Sequence, residues 1–309
     1  MNIVYMGTPD FALPPLQALC ESGRVPALTV TQPDRPRDRG KRPHSPPVKD
    51  LSIARGIPVL QPENPQSDAE FSERLREVAP DLIVVAAYGK ILPKEILDLP
   101  RFGCVNIHAS LLPAYRGAAP IQRAVIDGAR ETGVTLMHMA EAMDAGDIIA
   151  AERTEIGDKT AGDLFAELSL MGAALLLRML PSIEAGRAPR CPQDESGVCY
   201  APMIRKEEAH VDFSKDPHAV CRLIRGMNPR PTAFAHYAGA TLKLWEAVPS
   251  SLPAPRPAGT VVAASSAGIS VAAGDGAVRI TVIQAPGKRP VRADDYLRGN
   301  KIEIGAVLT

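Results

Sequence analysis

The chain has few cysteines, and their spacing argues against a disulfide framework and against a zinc site. Its 309 residues contain five cysteines, an odd number with no C-x-x-C pair. Such scattered thiols fit a reducing cytoplasm. We expect each of them to be a small buried side chain. The five positions are Cys20, Cys104, Cys191, Cys199 and Cys221.

Long apolar runs and targeting signals are also missing. No run approaches the roughly 20 apolar residues that a membrane helix needs. The first residues carry neither the basic flank nor the small-residue cleavage site of a signal peptide. Hydrophobic residues make up 45% of the chain and charged residues 23%, which is ordinary for a globular protein. We therefore expect a cytoplasmic monomer with no membrane partner and with room for two domains.

The motifs of several large enzyme classes are absent. No G-x-G-x-x-G follows the first predicted strand, and neither G-x-x-x-x-G-K-[ST] nor H-E-x-x-H occurs. A G-x-S-x-G elbow is missing as well. These absences argue against nucleotide-dependent, metalloprotease and serine-hydrolase chemistry.

Charge is balanced over the whole chain but unevenly distributed. From Arg205 to the end there are 14 Lys and Arg against 9 Asp and Glu, a balance of +5. The rest holds 21 basic and 26 acidic residues, a balance of −5, because each charge type totals 35. A basic C-terminal third suggests a polyanionic partner. Such imbalances also arise by drift in the sequence, so the charge distribution alone does not establish a polyanionic partner.

The N-terminal part alternates strand-like and helix-like segments. Continuous β-branched runs separated by helices predict an α/β fold, with a Rossmann-like, doubly wound and mainly parallel sheet. The predicted strands are residues 2–6, 27–32, 82–87, 104–108, 133–139 and 147–156. The predicted helices are residues 10–19, 48–55, 69–79 and 160–184.

The composition changes after Gly186. A segment rich in Pro, Gly and polar residues reads as a linker, and a helix at 216–225 follows it. Five short strands then suggest a small OB-like β-barrel. They are residues 233–237, 241–247, 259–263, 268–272 and 278–283. We predict a catalytic domain over 1–189, a linker over 190–208 and the barrel over 209–309.

Asn106 and His108 are two positions apart in one predicted strand, so both side chains project from the same face. Ligands of open α/β sheets bind beyond the carboxyl ends of the strands, where His108 lies. An Asn and a His at such a place can also simply satisfy loop backbone. The pair is therefore a candidate site with a structural alternative.

The segment Met143-Asp144-Ala145-Gly146-Asp147 is a second candidate, with two acids around a glycine. Such a segment can be an ordinary Asx-type turn, or one Asp can face the His. An Asn, a His and an Asp without a Ser or Cys nucleophile suit direct transfer to an incoming amine. The amide donates to a developing oxyanion, and the His–Asp pair handles protons.

A basic arm, residues 32–43 ("QPDRPRDRGKRP"), follows the second predicted strand. It holds five basic residues and two acids, with prolines that forbid a regular helix. A solvated charged loop is one interpretation. The other is an extended arm that contacts phosphates and base edges of a nucleic acid.

Together these elements resemble the methionyl-tRNA formyltransferase family over essentially the whole chain. The stretches "GTPDFA", "TQPDRPRDRGK", "VVAAYGKILP", "NIHASLLPAYRGAAPIQ", "ETGVTLMHM" and "MDAGDI" are similar to that family's signatures in the same order, and "KEEAHVDFS" and "NPRPTAF" follow. The Asn-x-His…Asp core also marks glycinamide-ribonucleotide and sugar N-formyltransferases and formyltetrahydrofolate hydrolases. The arm and the basic barrel favour the tRNA enzyme.

The resemblance implies 10-formyltetrahydrofolate as the formyl donor, initiator methionyl-tRNA as the acceptor, and no metal. The implied catalytic group is Asn106, His108 and Asp144. The implied folate site includes Ser110, Leu111, Leu112 and Pro113, with the pterin near residues 88–93. The implied contacts to the acceptor stem are Arg39, Lys41 and Arg42, and the barrel would bind the outside of that stem through phosphates.

Two positions depart from the family pattern. Met203 stands where a lysine is usual, and we expect Arg205 or Lys206 to supply the charge instead. Arg230 follows Asn-Pro where a bulky apolar residue is common. Two other functions stay open at this point. One is a formyltransferase acting on a small amine such as an amino-sugar nucleotide, and the other is a non-catalytic RNA-binding protein.

Overall fold

The computed structural model describes residues 1–36, 43–253 and 256–309. The predicted tRNA contacts Arg39, Lys41 and Arg42 lie outside these ranges. Two compact units are present. The first comprises Met1–Pro120, Thr132–Thr154 and Phe165–Pro202, and the second comprises Ile121–Glu131, Glu155–Leu164 and Met203–Thr309. The predicted domain limits at 189, 190–208 and 209 stay a prediction.

The first unit is built on a seven-stranded sheet of order β5-β2-β1-β6-β7-β8-β9. The strands of this half of the chain are β1 Ile3–Gly7, β2 Leu28–Val30, β3 Arg35–Pro36, β4 Pro43–His44, β5 Val59–Leu60, β6 Leu82–Ala86, β7 Cys104–His108, β8 Glu131–His138 and β9 Ile148–Glu155. The pairs from β5 to β7 are parallel, and β8 runs antiparallel to β7. Among the strands of the described residues, the short β3 and β4 pair only with each other.

Strands β1 and β6 are buried along their whole length. Their runs "IVYMG" and "LIVVA" are continuously apolar because a central parallel strand has both faces covered. The predicted α/β fold with a mainly parallel sheet is confirmed. The helices of this half of the chain are α1 Leu13–Glu21, α2 Pro47–Ala54, α3 Ala69–Val78, α4 Lys94–Leu97, α5 Pro120–Asp127 and α6 Ala161–Glu184. All of α5 except Pro120 belongs to the second unit.

Helix α6 confirms the long helix that the sequence predicts over residues 160–184. It begins after a capping box, in which the Asp163 carboxylate accepts from the Thr160 backbone and the Asp163 N–H donates to the Thr160 hydroxyl. By length and mean hydropathy of 1.5 it could cross a membrane, although no such segment was expected. Length and hydropathy alone are weak evidence for a membrane span, because core helices of globular proteins meet the same two criteria.

The second unit carries an antiparallel sheet of order β10-β11-β14-β13-β12, with β15 paired to β14. Its strands are β10 Ala233–Tyr237, β11 Ala240–Ser250, β12 Val261–Ser265, β13 Gly268–Ala273, β14 Gly276–Gln284 and β15 Val291–Arg292, and its further helices are α7 Pro217–Gly226 and α8 Ala293–Gly299. The sequence did not predict β15 or α8. Both are too short to produce a periodic pattern.

Residues 305–309 close this sheet. The Leu308 N–H donates to the Gly259 carbonyl beside β12. Thr309 and His236 of β10 exchange backbone hydrogen bonds in both directions. The two edge strands of the sheet, β10 and β12, are thereby joined through residues 305–309, which removes the open edges. The predicted small barrel is confirmed.

The cysteines follow the expectation only in part. All five are free thiols, and Cys20, Cys104 and Cys221 are buried. The prediction that each would be buried is wrong for Cys191 and Cys199, which are exposed. Both lie on the irregular segment after α6, which runs largely over the surface.

Candidate active site

Asn106 and His108 lie at the carboxyl end of β7, in the middle of the sheet. Asn106 pairs with Val85 of β6 on one side and with Met137 of β8 on the other. Its side chain is partly buried, and no hydrogen bond to its amide is found among the described residues. The amide is therefore available to a ligand. His108 is only 6% exposed.

The imidazole of His108 lies between a carboxylate and a backbone carbonyl. Its Nδ1 is 3.6 Å from the Asp144 Oδ1, and its Nε2 is 3.0 Å from the Tyr115 carbonyl oxygen. Because that carbonyl can only accept, we assign the proton of the neutral ring to Nε2. The lone pair of the neutral ring then lies at Nδ1, on the side of Asp144.

A backbone donor holds the carboxylate of Asp144. The Gly117 N–H donates to its Oδ2 at 2.9 Å. Gly117 itself has φ +127, and a Cβ there would lie 2.7 Å from the Ala201 carbonyl oxygen, so only glycine fits. The other acid of the segment is placed differently, since Asp147 lies 3.5 Å from Arg190. Of the two candidate acids, only Asp144 faces the histidine.

The turn that follows β7 is fixed from within. Ser110 is fully buried, and its hydroxyl donates to the Ala114 carbonyl at 2.6 Å. The Thr135 hydroxyl donates to the Ser110 carbonyl at 2.7 Å and accepts from the Leu112 N–H at 3.1 Å. Ser110, Leu111, Leu112 and Pro113 thus form an ordered wall directly after His108.

The loop after β6 meets the ends of β1 and β2. The Tyr88 carbonyl accepts from the Gln32 side-chain amide at 2.8 Å and from the Thr8 hydroxyl at 3.2 Å. Tyr88 is 1% exposed, and its hydroxyl has no hydrogen-bond partner among the described residues. Burial, with a smaller effect of Asp68, raises the pKa of Tyr88 well above its usual value. The backbone of this loop is thus fixed at the carboxyl edge of the sheet, while the Tyr88 ring is packed in the hydrophobic core.

Sequence reasoning missed the groups that orient the pair. The Gly117 N–H and the Tyr115 carbonyl belong to the backbone, so they leave no side-chain signature. Nor does the sequence assign a role to Arg116. Within the described ranges no cluster of three or more His, Cys, Asp or Glu that could hold a metal is found.

Family models match both parts of the chain. The model "Formyl transferase" matches residues 1–180, and "Formyl transferase, C-terminal domain" matches residues 203–301. A methionyl-tRNA formyltransferase of Moorella thermoacetica is 48% identical over 309 residues, covering 100% of this chain and 99% of the relative. One from Methylococcus capsulatus is 47% identical over 304 residues, covering 98% of both.

Solved structures share the fold. An N-formyltransferase from Helicobacter canadensis, in complex with folinic acid and dTDP-3-aminofucose, has a TM-score of 0.68 at 16% identity, covering 92% of this chain and 99% of that one. HypX from Aquifex aeolicus in complex with tetrahydrofolic acid has a TM-score of 0.66 at 20% identity. The alignment covers 99% of this chain but only 50% of HypX, so the chain spans about half of that protein's length.

Proposed function

This chain belongs to the methionyl-tRNA formyltransferase family, and from that premise we propose that it transfers the formyl group of 10-formyltetrahydrofolate to the α-amine of methionine on initiator methionyl-tRNA. Full-length relatives at 42–48% identity carry that name. The product is the formylated initiator used in translation. The observation that carries the proposal is the amide of Asn106, which has no hydrogen-bond partner among the described residues and lies on the same strand face as His108, the partner of Asp144.

The proposed roles follow from the chemistry of each group. When bound, the folate supplies a formyl carbonyl for the amine to attack. The Asn106 amide donates to the oxygen on which negative charge develops. The Nδ1 of His108 accepts the proton that the amine loses as the new C–N bond forms, and Asp144 stabilises the imidazolium that results. His108 then returns a proton to the folate nitrogen as the bond from that nitrogen to the formyl carbon breaks, so that tetrahydrofolate can leave. The Gly117 N–H keeps the carboxylate in place.

The residues present suit a folate donor. Near the carboxyl end of the sheet, the Asn106 amide has no hydrogen-bond partner among the described residues and is free to donate to the donor's formyl oxygen. We propose that the wall of Ser110, Leu111, Leu112 and Pro113 and the loop 88–93 hold the donor. Folinic acid in the Helicobacter canadensis structure and tetrahydrofolic acid in HypX are ligands of the same kind.

For the acceptor we propose two contacts. Arg39, Lys41 and Arg42 of the basic arm enter the acceptor stem, and the barrel binds the outside of the stem through phosphates. The balance of +5 from Arg205 onward supports the second contact. We further propose that residues 1–189 carry catalysis, 190–208 link and 209–309 bind tRNA, and that the protein is a cytoplasmic monomer.

One assay tests the proposal. The protein is mixed with 10-formyltetrahydrofolate and charged initiator tRNA, small amines such as an amino-sugar nucleotide, or no acceptor, and released tetrahydrofolate is followed. Rapid release only with charged tRNA supports the proposal. Release with the small amine points to the other formyltransferase class, and release without acceptor points to a hydrolase. No release in any arm contradicts an enzymatic function.

A further inference from the structure

We propose that Gln193 is a positioning residue for the His108–Asp144 pair, and that the buried Arg116 holds Gln193 in the orientation this requires. Gln193 lies in the segment that the sequence assigned to a linker. The inference rests on the catalytic role proposed above for Asp144 and deepens it. It gives a function to a guanidinium that sequence reasoning left unexplained.

The side-chain amide of Gln193 binds both ends of the loop that carries the acid. Its Nε2 donates to the Asp144 carbonyl at 2.8 Å and to the Gly146 carbonyl at 2.8 Å. An amide nitrogen has two protons, so both are used on this loop. The loop is thereby fixed on each side of Ala145.

Arg116 determines which way the amide points. Its Nε and Nη2 lie 3.0 and 2.9 Å from the Gln193 Oε1, and the Nη2 also lies 2.9 Å from the Glu195 Oε1. A guanidinium can only donate, so the amide oxygen must face it and the nitrogen must face Asp144. Arg116 is only 4% exposed, and a charge so buried requires these partners.

The backbone at both partners of the histidine has an uncommon conformation. Asp144 has φ +52 and Tyr115 has φ +60, in the left-handed region that few non-glycine residues adopt, although Asp and Asn enter it more readily than most. These residues supply the two groups that face the His108 ring. The Tyr115 N–H in turn lies 3.2 Å from the Sγ of Cys199. Residues 193–199 therefore form hydrogen bonds to the backbone of both residues that contact the His108 ring, Asp144 and Tyr115.

The consequence is that Gln193 sets the distance between the carboxylate and the imidazole. Without its two donors, the Asp144 backbone can relax out of the left-handed region, and the carboxylate then shifts relative to His108. Displacements of about 1 Å in a catalytic group can cost on the order of 100-fold in rate. Gln193 would act on the chemical step without touching either substrate.

The test is a double-mutant cycle in the full-length protein, measured as steady-state formylation of charged initiator tRNA. Gln193→Glu replaces the donor nitrogen by a carboxylate oxygen but keeps an acceptor for Arg116, and Gln193→Met has neither. Each is combined with Asp144→Asn. Gln17→Met is the matched control, because Gln17 is an exposed residue of α1 paired only with Glu21 among the described residues.

We expect either Gln193 variant to lower kcat by about 10- to 100-fold, with the KM of both substrates little changed. The thermal midpoint should fall more in Gln193→Met, which leaves the buried Arg116 without this acceptor, than in Gln193→Glu, which keeps it. In the Asp144→Asn background the same change should cost almost nothing, because Gln193 acts through that carboxylate. Multiplicative losses in the double variant overturn the inference, and so does a wild-type kcat in both Gln193 variants. An inactive wild-type protein would instead contradict the proposed function itself.

Discussion

Asp144 presents one carboxylate oxygen to the Nδ1 of His108 at 3.6 Å and the other to the Gly117 N–H at 2.9 Å. The side chains of the pair are 7% and 14% exposed, so solvent screens their interaction little. A backbone donor, rather than a flexible side chain, fixes the second oxygen. The negative charge of Asp144 is therefore held at a place where it would stabilise a protonated His108 ring.

Replacing Asp144 by Asn tests the charge without changing the shape. Asn tolerates a positive φ and can still accept from Gly117, so we expect the fold to persist. Without the negative charge the imidazolium is less stable, and we expect kcat to fall by about 100-fold or more. Asp147→Asn is the matched control from the same loop, because Asp147 lies near Arg190 instead. Equal activity of the two variants would contradict the assignment.

Replacing Asn106 by Ala removes the proposed oxyanion donor. The amide has no partner among the described residues, so the thermal midpoint should barely change. One such donor is worth on the order of 100- to 1000-fold in rate, and kcat should fall by that amount, while equilibrium binding of the folate changes little. The measurements are single-turnover formylation and folate titration. Near-normal formylation by this variant would rule out the role given to Asn106.

Much of the fold could be read from the sequence because burial leaves a pattern. The runs of β1 and β6 are apolar throughout since both faces are covered, and the spacing of Asn106 and His108 places them together by the two-residue period of a strand. The closing segment 305–309 was missed because a few bridging residues carry no period.

The environment of the pair was harder to foresee. The donors and acceptors that orient it are the Gly117 N–H, the Tyr115 carbonyl and the amide of Gln193. The first two are backbone groups, which every residue has. Gln193 is one polar residue in a stretch rich in Pro and Gly, which is typical of a linker. Only the folded chain brings it to Asp144.

Closure of the barrel can be tested with two adjacent residues. Leu308 is buried and Val307 is half exposed. Leu308→Ala should lower the free energy of unfolding by about 2–5 kcal/mol through lost burial and a cavity, whereas Val307→Ala should stay within about 0.5 kcal/mol. The chain has one tryptophan, Trp245 in β11, so its fluorescence during denaturation reports this unit. Equal effects would contradict the closed arrangement.

The basic arm can be tested by Arg39→Ala. Loss of one contact to the acceptor stem should raise the KM for methionyl-tRNA by roughly 10-fold and reduce the salt dependence of binding, while the KM for the folate stays the same. Arg74→Ala is the control, because Arg74 pairs with Glu77 on an exposed face of α3. Equal loss for both substrates would point to a folding defect rather than to a tRNA contact.

Glu208 gives a pH-dependent contribution to stability. Hydrogen bonds from the Arg123 side chain and then from the Arg205 N–H lower the pKa of Glu208 from 4.5 to about 2. Because the folded-state pKa is the lower one, this contribution is present above about pH 4.5 and is lost as the pH falls towards 2. The difference in unfolding free energy between the wild type and Glu208→Gln should therefore be largest near neutral pH and shrink steadily on acidification.

Glu207→Gln, at an exposed neighbouring position, should show no such trend when both variants are followed by Trp245 fluorescence. A difference that stays constant from pH 6 to pH 2.5 would contradict the ion pair, since only a charged Glu208 can make it.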